Sequence, residues 1–377
     1  MKILMTGVAD NPGGTESFVK DVVSGLHNNH EFSVLRIKEQ PEAHREFFSS
    51  LSVKSFYVSG IFGLKSILKR KKIFKRFLAE NNFDLIHINA PNINSIYMIA
   101  AAKELGIQTI YHLHNSNSSG ISLLNRMIAR VAKRYLGTYI LKNASKVVAV
   151  SEDAAISWFG KKSDRVFVIY NGINTQKYLF DQNKRNDIRN KYGIGVEAKV
   201  AVMVARLEPI KNYEFAFDIL DNLMPKSIQT FFVLGDGSQA DYLKNYVKET
   251  MNDEAIKNVK FVGRTPDVPD YLFASDIGIL TSFSEGLGLS VLEGEAAGLP
   301  MEVSEGVPRV VDVTGNVDFI NLGKGVKYWA NKMDERLNET KDRLIANENV
   351  QKSSFSKEVF LQKINEMYGD LGGKHEY

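Results

Sequence analysis

The chain begins with a short apolar run at residues 2–6 and then repeats one alternation, brief β-rich stretches separated by longer amphipathic ones. Residues 2–6, 31–37, 84–89, 108–113, 146–150 and 166–169 are rich in branched and aromatic side chains and read as strands. Between them, 16–26, 93–105 and 123–142 carry apolar residues at helical spacing. Strands separated by helices of this length make parallel βαβ units, so the first half is predicted to be a doubly wound α/β domain. The pattern lapses over the polar stretch 177–195, where the domain boundary is placed. A second series then starts, with strands at 199–205, 229–234, 259–262 and 277–280 and helices at 213–223, 239–250 and 289–297. The expected divisions are 1–180, 195–354 and a terminal helical segment, 355–377. In that segment Phe355, Val359, Phe360, Ile364 and Tyr368 share a face that must pack on something.

Composition narrows the class. The 377 residues suffice for two domains with separate cores, and 44% hydrophobic with 24% charged residues is typical of soluble proteins. There is no cysteine, which removes disulfides and thiolate metal sites and fits a cytoplasmic setting. The first strand is too short for a signal-peptide core, and no run approaches the ~18 apolar residues of a membrane span. The net charge of +4 hides an asymmetry: residues 1–190 hold 27 Lys and Arg against 15 Asp and Glu, and the remainder is acidic. No nucleic-acid module accompanies this excess, so an anionic membrane surface or a phosphorylated acceptor is the expected partner.

Within that frame four places carry chemistry. Residues 284–300 read as loop and helix after a strand, with Gly286 and Gly288 opening the main chain to an anion at the helix start. Glu285 and Glu293 bracket this seat and would accept hydroxyls on either side of a phosphate, as in a nucleotide sugar; an ordinary loop and helix with solvated glutamates fits the same residues. Arg206 and Lys211 follow the strand at 199–205 and are placed to grip a diphosphate. The chain has no Asp-x-Asp to hold a metal on one, so no metal or other cofactor is expected. Gly13 and Gly14 open the first helix and read either as a phosphate loop or as a plain turn. His114 ends the strand 108–113 at the ligand rim, as a contact group or a structural hydrogen-bonder, while His112 lies deeper on the same side. The stretch from Lys65 to Arg76 reads as a basic amphipathic helix, lipid-facing or with its apolar stripe in the core; Arg126, Arg130, Lys133 and Arg134 favour the first.

These pieces in this order resemble the family 4 retaining glycosyltransferases with the two-domain GT-B fold. The resemblance spans Gly13-Gly14, His114, Val150-Ser151-Glu152, Asn171-Gly172-Ile173, Arg206-Leu207 with Lys211-Asn212, Phe261-Val262-Gly263, Ser275-Asp276 and the Glu-x7-Glu signature from Glu285 to Glu293. It implies two Rossmann-like domains facing across a cleft, with the C-terminal helix returning to the first. It also implies that Arg206 and Lys211 bind the donor diphosphate, Glu293 the ribose, and Glu285 the transferred sugar. The amides of Leu287, Gly288, Leu289 and Ser290, with the Gly13-Gly14 loop, complete the phosphate seat, and His114 contacts the sugar. The implied partners are a nucleotide-sugar donor, a UDP-sugar by family frequency, and a glycan acceptor, polyprenyl-diphosphate-linked, at the inner face of the membrane. Asn174, Gly294 and Pro300-Met301-Glu302 depart from the family pattern. A non-catalytic nucleotide-sugar-binding subunit and a nucleotide-sugar epimerase are the alternatives.

Overall fold

The computed structural model describes residues 1–8, 14–36, 39, 44–61, 66–90, 95–114, 135–160, 163–224, 226–337, 339 and 342–372. The chain forms two compact units, Met1–Asn171 with Phe360–Tyr377, and Gly172–Val359.

The first unit is built on strands β1 (Lys2–Val8), β2 (Glu31–Arg36), β3 (Lys54–Tyr57), β4 (Leu85–Ala90), β5 (Gln108–Leu113), β6 (Lys146–Ala149) and β7 (Val166–Val168). They pair in the order β3-β2-β1-β4-β5-β6-β7, every neighbour parallel. The order reverses direction between β1 and β4, the switch point where such sheets bind ligands beyond their carboxyl ends. One face is covered by a cluster around Phe74, Tyr97, Tyr111 and Trp158. The other is covered by Phe18, Val19 and Val22 together with Phe360, Ile364, Met367, Tyr368 and Leu371 of the terminal helix Lys357–Gly372. That helix therefore returns to the first sheet. Its close approach depends on Gly25, where a Cβ would fall 2.3 Å from Leu361 Cδ1.

The second unit carries β8 (Val200–Val204), β9 (Thr230–Leu234), β10 (Val259–Gly263), β11 (Ile277–Leu280), β12 (Met301–Ser304) and β13 (Val317–Ile320), parallel in the order β10-β9-β8-β11-β12-β13. Its switch point lies between β8 and β11, so the segments after Val204 and Leu280 emerge side by side.

Most of the expected elements are present, and the differences have local causes. β3 is a short edge strand with Lys54 and Ser55 exposed, so it lacks an apolar signature. β12 and β13 place Glu302 and Asp318 mid-strand; Glu302 is fully buried with the guanidinium of Arg336 beside both carboxylates. The polar stretch 177–195 holds the helix Gln182–Lys191. Its anchors are arginines rather than an apolar stripe: Arg185 and Arg189 donate to the carbonyls of Phe273, Ala274 and Ser275 and share the Asp276 carboxylate. The expected helix 123–142 is described only from residue 135.

Candidate functional site

In the second unit the backbone leaving β8 is shaped by glycine. A Cβ on Gly235 would fall 1.9 Å from the Ala205 carbonyl oxygen, and one on Gly237 2.3 Å from that of Leu207. Leu207 N–H donates to the Asp236 carbonyl, so the turn Gly235-Asp236-Gly237 props the Arg206 loop from below. Arg206 is thereby left exposed at the strand end. Lys211 closes a single 3-10 turn, Pro209–Lys211, and Asn212 follows in the left-handed region at φ 54°.

The segment leaving β11 is stitched to that turn. Thr281 Oγ1 donates to the carbonyls of Lys211 and Asn212, Phe283 N–H to that of Ile210, and Glu285 N–H to that of Gly306. Glu285 Oε1 then receives both Lys211 Nζ and Ser282 Oγ, each at 2.6 Å. Lys211 and Glu285, both expected to touch the ligand, are thus each other's partner. Four residues on, the helix Leu289–Ala296 starts after Gly288 at φ 86°, and its first amides, from Leu289 and Ser290, face the free helix end. Glu293 lies in its second turn, half-buried, with the Tyr178 hydroxyl donating to it; desolvation pushes its carboxyl up to about 7 and the Tyr178 bond moderates the rise. Glu295 faces away, as helix geometry requires. It is buried and accepts from the amides of Val313 and Thr314 and from the Thr314 hydroxyl, a structural role.

In the first unit Gly14 opens the helix Gly14–Leu26, while Gly13 lies outside the described residues. His114 stands half-buried just past β5, where its Nε2 is 2.8 Å from Asn89 Oδ1. His112 is fully buried, as expected, and is joined through Nδ1 to His87 Nε2 at 3.1 Å; His87 Nδ1 meets the Tyr368 hydroxyl at 2.7 Å. Burial holds His87 and His114 down at about 3 and His112 well below its ordinary value, so all three rings are neutral.

Sequence reasoning missed Tyr178, Ser282, Asn89 and the Gly235-Asp236-Gly237 turn. Only the last left a signal, a glycine pair directly after a predicted strand. The basic stretch resolves on its core side. Phe74 and Leu78 of the helix Arg70–Asn81 are buried. Lys71 and Lys75 bind Glu104, Arg76 binds Glu80, and Arg70 lies over the Tyr97 ring at 4.7 Å. Lys69, Lys72 and the 96% exposed Leu68 remain on the outer surface; Lys65, Arg126, Arg130, Lys133 and Arg134 lie outside the described residues. Among the described residues no helix is long and apolar enough to cross a membrane, and no cluster of His, Asp and Glu could hold a metal ion.

Comparison with known proteins agrees with this layout. Residues 12–177 match the model for Glycosyltransferase Family 4 and residues 184–353 that for Glycosyl transferases group 1. The glycosyltransferase EpsF of Bacillus subtilis is 26% identical over 329 residues, covering 85% of this chain and 83% of EpsF. An Escherichia coli UDP-Gal:alpha-D-GlcNAc-diphosphoundecaprenol alpha-1,3-galactosyltransferase is 29% identical over 269 residues, 67% of this chain and 66% of that enzyme. Among solved structures, HepE of Anabaena in complex with UDP superposes with a TM-score of 0.79 at 20% identity, covering 98% of this chain and all of that one.

Proposed function

Because the chain belongs to the family 4 glycosyltransferases with the GT-B fold, we propose that it is a retaining, metal-independent transferase. It moves a hexosyl or N-acetylhexosaminyl unit from a UDP-sugar to a lipid-linked glycan acceptor in surface polysaccharide synthesis. The observation that carries this reading is the junction of Lys211, Ser282 and Glu285 at the carboxyl ends of β8 and β11, beside the free end of the helix Leu289–Ala296. Such a junction combines cations, amides and a fixed carboxylate within one seat, which is what a diphosphate joined to a polyol requires.

In this reaction Arg206, Lys211 and the amides of Leu287 to Ser290 hold the diphosphate and stabilise the charge that develops as it leaves. Glu293 accepts from the ribose hydroxyls, Glu285 from the transferred sugar, and His114 contacts that sugar. The acceptor hydroxyl attacks the anomeric carbon from the face the diphosphate leaves. A new C–O bond forms there, the bond to the phosphate oxygen breaks, and the acceptor's proton passes to that oxygen, so no protein base is required. Uridine as the base is supported by the UDP bound to HepE, and a polyprenyl-diphosphate acceptor by the named substrate of the E. coli relative. The basic first half, with Lys69, Lys72 and Leu68 outermost, suits the inner membrane face where such an acceptor resides.

The test is incubation of the purified protein with UDP-glucose, UDP-galactose or UDP-N-acetylglucosamine and a polyprenyl-diphosphate-linked N-acetylhexosamine, in chelator, with NMR of the product linkage. One donor should yield an α-linked product, and Arg206→Ala should lower turnover by about 100-fold or more. A β-linked product would exclude retention. Donor epimerised without acceptor would identify an epimerase, and binding without turnover a non-catalytic partner.

A further inference from the structure

The side-chain amide of Asn89 can be oriented without ambiguity. Its Nδ2 is 2.9 Å from the Thr6 carbonyl oxygen, which can only accept, so the NH2 group must face Thr6. Oδ1 therefore faces His114, and because an amide oxygen only accepts, His114 Nε2 must carry the proton across the 2.8 Å contact. A neutral imidazole has one N–H, so Nδ1 is left with a lone pair. His114 Nδ1 has no hydrogen-bond partner among the described residues. We propose that Asn89 is a positioning residue that holds His114 in the Nε2–H tautomer, so that Nδ1 is presented as an acceptor to a hydroxyl of the bound sugar.

The surroundings make the assignment rigid. Asn89 is 1% exposed, and its own N–H donates to Thr6 Oγ1 at 3.2 Å. Gly7, at φ 92°, lies against it so closely that a Cβ there would be 2.9 Å from both Asn89 Cβ and its carbonyl oxygen. The His114 ring is fixed edge-on by Phe18 at 4.9 Å and flanked by His112 at 4.5 Å. His112 is tied in turn through His87 to Tyr368, so the ring has little room to flip and exchange its nitrogens. A hydroxyl is the ligand group such a nitrogen suits. It donates one hydrogen bond and needs no charge, and the neutral histidines beside it offer none.

This inference rests on the proposed sugar contact of His114, and the experiment separates the two. Nitrogen-15 NMR of histidine-labelled full-length protein reads the tautomer with no ligand present. The Nε2–H form is expected in the wild type and a mixture in Asn89→Ala. Asn89→Asp, of equal size, should draw a second proton onto the ring. Titration with UDP and with UDP-glucose, UDP-galactose and UDP-N-acetylglucosamine gives the second readout. UDP should bind both variants as it binds the wild type, while the preferred UDP-sugar loses about tenfold, one hydrogen bond's worth, in Asn89→Ala. The wild-type tautomer is read without any variant, so the proposal stays testable if Asn89→Ala fails to fold or if Asn89→Asp, which sets a carboxylate oxygen against the Thr6 carbonyl, does. An Nδ1–H wild type, or equal loss of UDP and UDP-sugar, overturns the assignment and leaves the transferase reading intact. If no UDP-sugar binds the wild type, the transferase reading and the ligand half of this proposal fall together, and the tautomer remains measurable.

Discussion

Lys211 Nζ and Glu285 Oε1 lie 2.6 Å apart although 74 residues separate them in sequence. Their side chains keep only 15% and 10% of their accessible surface, so each charge depends on the other in the absence of ligand. The contact also binds the two loops that leave the switch point. Lys211→Met should therefore strand Glu285 with Ser282 alone and destabilise the second unit by about 2 kcal/mol, besides removing a diphosphate contact. Glu285→Gln keeps an acceptor toward both Lys211 and Ser282 but leaves the Lys211 charge uncompensated, so its melting point should fall less than that of Lys211→Met while turnover falls about 100-fold. Thermal unfolding beside nucleotide-release assays separates these effects. An unchanged melting point in Lys211→Met would show that the pair is not structural.

The Tyr178 hydroxyl donates to Glu293, and that bond favours the ionised carboxylate against the desolvation that lifts it to about 7. Ribose hydroxyls donate most strongly to an ionised acceptor, so UDP affinity should rise as pH increases through 7. Removing the bond in Tyr178→Phe leaves desolvation unopposed and moves the midpoint of that rise to higher pH. Calorimetric titration of UDP from pH 5.5 to 8.5 would reveal it, and coincident profiles for the two proteins would refute the coupling.

What the sequence made legible follows from where each signal resides. β11 has the predicted bounds because its residues carry no polar side chain and polar ones flank it, and β5 because Thr109, Ile110 and Tyr111 favour extended backbone between two helical patterns. β12 and β13 escaped because Glu302 and Asp318 break the apolar run, and their partner Arg336 comes from a later helix. The Glu-x7-Glu pair was readable as a local spacing, and so was Arg206 with Lys211. The contacts Lys211–Glu285, Tyr178–Glu293 and Asn89–His114 were not, because each joins residues far apart in sequence: the sheet order brings the first and last together, and packing of the turn Thr175–Tyr178 on the helix Leu289–Ala296 the second.

Two of the departures from the family pattern explain one another. Met301 begins β12, and its sulfur occupies the space left by Gly294 and Gly278, where Cβ atoms would fall 2.4 and 2.3 Å from it. In the wild-type background Gly294→Ala gains up to about 1 kcal/mol of helix propensity but overpacks a buried site at a cost of about 1–3 kcal/mol, so it should destabilise. With Met301→Val the thioether is gone and Gly294→Ala should become stabilising by up to about 1 kcal/mol. A denaturant-unfolding cycle on the four proteins reads the sign change directly. Additive effects would show that the two positions are independent.

Glu302 gives the second unit a pH-dependent weakness. Its side chain is fully buried, neither carboxyl oxygen has a hydrogen-bond partner among the described residues, and Arg336 approaches only to 3.7 Å. The guanidinium is committed elsewhere, to Asp318 at 2.7 Å and to Asn316. Desolvation first, then Asp318, raises the Glu302 carboxyl to about 8, against the counter-pull of Arg336 and Lys332. A carboxyl whose folded value lies above its unfolded one binds more protons in the folded state. Stability is then full below the ordinary value near 4.5 and is lost as pH rises toward 8. The loss should be a few kcal/mol, on the order of 5 at most, across that window. Glu302→Gln cannot ionise, so its stability advantage over the wild type should grow between pH 5 and pH 8.5 and then level off. Glu293 and Glu295, which also titrate upward, are common to both proteins and cancel in the difference. Urea unfolding at pH 5, 7 and 8.5 measures that difference, and parallel curves would mean that Glu302 is compensated in the folded protein.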